Sequence, residues 1–199
     1  ETQEAAKELQ EKYSNIELII KERPESLCAS WTELALQSVG RFCWAMNDDV
    51  QFLTRGYDKK ILDKAAEFKA ANSVKDDILY CWVSDTSCDK PEGSKYASFP
   101  IISLEAVQLL GKLFEPRFVS LGGDAHIFRI YESVGRIVDC QEVLLDHFFH
   151  STITAVLSPD RTAAEYREKC YRNPLDPLSF PIDEDVELLK KYIEEKNAN

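Results

Sequence analysis

Apolar positions recur along most of this chain at steps of three and four, the period of an α-helix. In "ETQEAAKELQEKYSNIELII", Leu9, Tyr13, Ile16 and Ile20 are spaced four, three and four apart, which predicts an amphipathic first helix. "RPES" ends it and opens the next, with Pro24 suited to a break or a first turn. "LCASWTELALQSVGRFCWAM" is apolar on more than one face: Leu27, Trp31, Leu34, Ala35, Val39 and Phe42, then Cys28, Leu36, Cys43 and Trp44. That pattern predicts a central helix over 27–46, covered by others on several sides. "YDKKILDKAAEFKAAN" is amphipathic, with Ile61, Leu62, Ala65 and Phe68 on one face. Ser73 with Asp76 or Asp77 has the form of a helix start before "ILYCWV", a hexamer too short for periodicity to separate helix from strand.

Residues 85–100, "DTSCDKPEGSKYASFP", form the longest turn-rich stretch and are expected to be a mobile loop. Ser103 is placed to cap "LEAVQLLGKLF", which stops before Pro116, and Asp124 to cap "AHIFRIYESVGRIVD". A second helix apolar almost all round is expected over 141–157, halted at Ser158–Pro159. A short polar helix follows over 162–172, then a proline-stiffened crossing segment at 173–182. Asp183, Glu184 and Asp185 put negative charge at the N-terminus of a last helix, 183–196, where the helix dipole favours it. No repeat of solenoid length is visible. The pattern predicts a single all-α domain over 1–199, with eight or nine helices layered around 27–46 and 141–157.

Composition narrows the functional classes. The net charge is −11 and no basic run exists, so direct nucleic-acid binding and attraction to an anionic membrane surface are not expected. No apolar run reaches the roughly 18 residues that a membrane span needs. The six cysteines show neither a CxxC nor a zinc-type spacing. Cys28, Cys43 and Cys140 lie in apolar stretches, where a free thiol behaves as a small hydrophobe. Reduced thiols in an intracellular protein, cytoplasmic or nuclear, are therefore expected. An even count, with Cys81 and Cys88 seven apart, is what a secreted protein would need, and disulfides would reverse the expectation.

Candidate chemistry is sparse. "DHFFH" at 146–150 sets His147 and His150 three apart, where a zinc helix uses four, and Phe148 and Phe149 between them mark an apolar face. "LGGDAH" offers amides to an anion at a helix start, but Asp124 would repel it. No nucleophile elbow or phosphate-cradling glycine motif occurs. The expectation is a non-catalytic domain without metal or cofactor that binds a protein partner or a second copy of itself. Tyr96, Phe99, Leu178 and Phe180 lie beside prolines outside the helices, and Leu188 and Tyr192 lie on the last helix. These six are the candidate interface residues, since aromatics often anchor interfaces.

A second reading is a sensor for a small apolar ligand. "SWTELAL", the later "TAVLSPD" and the terminal "LLKKYI" resemble the nuclear-receptor ligand-binding domain, an all-α sandwich with a tryptophan in a central helix. That resemblance implies an internal apolar cavity and a transcription-regulating role. Lys191 stands where the family's activation helix has an acidic residue, and the stretch from Trp31 to Pro159 is longer than the family's.

Overall fold

The computed structural model describes residues 2–22, 26–47, 49–86, 96–119, 122–147 and 175–198. In chain order the elements are α1 (Thr2–Lys12), α2 (Leu27–Gln37), β1 (Phe42–Trp44), β2 (Val50–Phe52), α3 (Tyr57–Ala71) and β3 (Tyr80–Asp85). Then come β4 (Ile101–Ser103), α4 (Leu104–Leu110), α5 (Gly123–Ser133), β5 (Ile137–His147) and α6 (Asp183–Ala198). The strands form one mixed sheet in the order β1-β4-β3-β5-β2, with β3 and β5 parallel and the other neighbours antiparallel. The fold is α/β, and the all-α expectation is overturned.

The sheet is curled. Four spacings of about 4.8 Å would put the edge strands β1 and β2 roughly 19 Å apart if it were flat. Instead the rings of Trp44 on β1 and Phe52 on β2 lie 5.3 Å apart, so the edges approach like those of a half-barrel. One face packs on α3, where Ile61 and Ala65 meet Cys81, Val83, Val138 and Leu145. The other face is covered by α2, α4, α5 and α6.

The two helices expected at the centre are not there. α2 stops at Gln37, where the Ser38 hydroxyl donates back to the Leu34 carbonyl, and the chain then passes through Gly40 into β1. It buries Cys28, Thr32 and Ala35, while Leu34 and Leu36 are each 44% exposed, so it is a surface helix. The described part of 141–157 is strand β5. Its register slips: Trp82 faces Asp139 but Ser84 faces Leu144, and the Asp139 carboxylate accepts the Gln141 amide in the bulge. The bulge sets the buried positions at 138, 140, 143 and 145, an uneven spacing that resembles helical steps.

"ILYCWV" supplies β3. It is covered on both faces, which removes the alternation that would have marked a strand. The residues before it are not a helix start. Ser73 closes α3 at positive φ, and Asp76 accepts the Ile78 amide. Ser103 stands at the N-cap of α4 as expected, but its side chain makes no capping hydrogen bond; its buried hydroxyl accepts the Leu79 amide at 3.0 Å and ties β4 to the start of β3. Gly122, not Asp124, precedes α5, and that helix ends at Ser133 rather than continuing to Asp139. α1 ends at Lys12, leaving Leu9, Tyr13, Ile16 and Ile20 exposed. A five-stranded sheet also removes the likeness to an all-α receptor sandwich. Pro24, residues 87–95 of the stretch expected to be a loop, and the stretch 148–174 lie outside the described residues; with them go Cys88, Cys170, His150, "TAVLSPD" and the polar helix expected at 162–172.

Candidate peptide-docking groove

The structure does not gather the six candidate interface residues into one surface. Phe99 is buried beneath α3, where its carbonyl accepts the Trp44 indole N–H at 3.0 Å. Tyr96, Phe180 and Tyr192 pack against the other core cluster. Phe180 packs on the rings of Phe118 and His126, which also touch each other, with the Arg117 guanidinium 4.5 Å over its face. The Tyr192 hydroxyl donates to Glu105 at 2.6 Å. Leu178 and Leu188 are 68% and 40% exposed. Asp146 and His147 lie at the end of β5, and His147 approaches Asp49 at 3.4 Å. Among the described residues no cluster of three His, Cys, Asp or Glu could hold a metal.

Among the described residues a concave feature lies elsewhere, between α2 and β1. Trp31, Leu34, Ala35 and Ser38 fall at helical steps of three, one and three, so α2 presents them as one wall. The run from Phe42 to Met46 forms the opposite wall, and Leu113 lies at the floor. The groove has a volume of about 270 Å3 and no charged side chain in its lining. Val39, 98% exposed, follows Ser38 beside it. The floor is held by Thr32, whose buried hydroxyl donates to the Phe114 carbonyl and receives the Leu113 and Phe114 amides. Trp31 in turn rests on Phe114, 5.4 Å between centroids.

The groove runs beside a sheet edge that is unpaired among the described residues. β1 faces β4 in the register Phe42↔Ser103, Cys43↔Ile102, Trp44↔Ile101, and the Leu104 amide donates to the Arg41 carbonyl at 2.9 Å. Hydrogen-bonded pairs alternate in an antiparallel ladder, so Cys43 directs its N–H and C=O at β4. Phe42 and Trp44 direct theirs outward. Among the described residues nothing hydrogen-bonds these outward groups.

Cys43, on the groove's β1 side, is the one ionisable residue in the lining. Burial pushes its thiol up, outweighing a hydrogen bond with Ser38 that acts the other way, and its sulfur lies 3.8 Å from the Ala35 carbonyl. A thiol kept protonated at neutral pH is a poor nucleophile. The groove therefore offers shape, apolar surface and main-chain hydrogen bonding rather than acid–base chemistry.

Sequence reasoning placed all the groove residues from 31 to 46 in one helix, which hid the edge. Val39–Gly40 was the available signal of a turn. No known protein family matches the chain, and no curated protein is similar to it.

Proposed function

We propose that the chain is a non-catalytic protein–protein interaction module that holds a segment of its partner in the α2/β1 groove. The observation carrying this reading is the pair of outward-facing residues on β1 beside an uncharged apolar groove. Unpaired edges attract further strands, and natural proteins usually cover or charge them. Here the groove beside the edge is apolar. As a small-ligand site this groove is weak, because its volume of about 270 Å3 falls below the roughly 300–1,000 Å3 typical of ligand pockets. The net charge of −11 supports a protein rather than a nucleic-acid partner. Among the described residues four buried cysteines stand outside any disulfide, which supports a reducing compartment, cytoplasm or nucleus.

A photoreactive benzoylphenylalanine at Ser38, on the groove rim, tests the reading against the same group at Ala66, an exposed position on α3 across the sheet. In native extract the Ser38 version should form a discrete protein adduct that the Ala66 version does not. Identical adduct patterns from both positions, or none from Ser38, would sink the interaction reading.

A further inference from the structure

We propose that the segment held in the groove is an extended, uncharged, apolar stretch that adds to β1 as an antiparallel sixth strand; this rests on the interaction reading above. The outward N–H and C=O groups of Phe42 and Trp44 ask for an occupant with free main-chain donors and acceptors at a two-residue repeat. An α-helix cannot supply them, since its own main-chain groups are used internally. An extended segment can, as in β-strand addition to a free edge. The antiparallel direction matches β1's pairing with β4, and such ladders are slightly stronger per residue than parallel ones.

The side chains then follow from the pleat. Cys43 belongs to the cluster on the α2 side of the sheet, while Phe42 and Trp44 belong to the cluster on the α3 side. Residues opposite one another in a ladder project to the same face. The partner residue facing Cys43 therefore points into the groove, between β1 and the wall of Trp31 and Leu34. Its two neighbours face Phe42 and Trp44 and exchange the main-chain hydrogen bonds. Charge decides the central residue. No lining side chain is charged, so a Lys, Arg, Asp or Glu entering the groove would lose hydration without gaining a counter-ion. Leu, Ile, Met or Phe would bury apolar surface there.

Heptapeptides displayed at random are panned on the intact chain and counter-selected on Leu34→Asp. That substitution charges the groove at a side chain already 44% exposed. Ser38→Arg, on the exposed rim, serves as the second counter-target, and thermal melting checks that both fold. The selected peptide is then synthesised with each backbone amide N-methylated in turn. The expected result is a large apolar central residue without flanking charge, and affinity about tenfold weaker for either variant. N-methylation should weaken binding about tenfold at the two positions flanking the centre and little at the centre itself. A groove-dependent peptide insensitive to N-methylation, or weakened equally at every amide, overturns strand addition and leaves the groove as an interaction site. Failure of every peptide to separate the intact chain from both variants overturns the two readings together.

Discussion

At the scale of single residues, Thr32 does the most with one side chain. Its hydroxyl serves the Phe114 carbonyl at 3.0 Å, the Leu113 amide at 3.2 Å and the Phe114 amide at 3.1 Å, all in the interior. Thr32→Val keeps the shape and strands those groups without water, which should cost about 2–4 kcal/mol in urea unfolding. Thr32→Ser should recover most of that, and a valine variant as stable as wild type would show the network to be dispensable. Nothing in "SWTELAL" signals this role, because the partner lies 82 residues away in sequence. The cysteines were more legible, since apolar flanks pointed to buried thiols. Cys28, Cys43 and Cys140 are indeed buried and outside any disulfide, as is Cys81. Cys81 is pushed well up, first by its hydrogen bond with Cys140 and then by burial. In freshly prepared protein these four should react with a maleimide only after unfolding, and all six without any reductant. A native disulfide involving any of the six would move the protein to an oxidising compartment.

At the scale of elements, the sequence was readable where one face is wet and the partner is near. α3, α4 and α6 begin where their periodicity begins, because each keeps a polar face. The strands were hidden by burial on both faces in β3 and by the bulge in β5, while the three-residue length of β1 left no period to read. The groove was hidden with them, since an edge is defined by which distant strand pairs and which does not. The crossing segment also became clear only in three dimensions. Arg129 donates to the Pro177 and Phe180 carbonyls at 2.7 and 2.9 Å, and His126 Nε2 lies 3.2 Å from the Pro181 carbonyl. Among the described residues His126 Nδ1 is buried with no partner. Burial holds the imidazole below its ordinary value of 6.5, against the hydrogen bond to Pro181; Lys112 lowers it further, while Asp185 and Glu115 act the other way. The unfolded chain therefore takes up this proton at a higher pH than the folded one. Stability from His126 is present above about pH 6.5 and is lost as the pH falls below it. Thermal unfolding between pH 7 and 5 should fall more steeply for wild type than for His126→Gln, which can still donate to Pro181. Parallel curves would rule the histidine out. A second decline belongs to Glu115: Arg117 and Lys112 overcome the effect of burial and hold it at about 2, so its contribution fades from pH 4.5 downward.

At the scale of the whole molecule, the question is whether the last helix completes this chain's core or reaches for another copy. α6 buries Val186 and Leu189 against the cluster formed with α2, α4 and α5, and Tyr192 and Ile193 pack at its margin. Lys112 holds Asp185 at 2.9 Å and Glu115 at 3.1 Å, joining the first turn of α6 to the segment after α4. The apolar stripe that would otherwise have needed a second copy is therefore covered within the chain. Two fully buried aliphatic side chains are worth about 3–6 kcal/mol, before the cost of ordering the helix. Whole domains are stable by only about 5–15 kcal/mol, so removing α6 should be severe. Truncation after Asp176 should lower the melting temperature by roughly 10–20 °C, or abolish the cooperative transition, without changing the number of subunits. Sedimentation of both forms decides the matter. A dimer that becomes a well-folded monomer on truncation would show that α6 works between chains, and the fold-back contacts would then have to be read as exchanged between two copies.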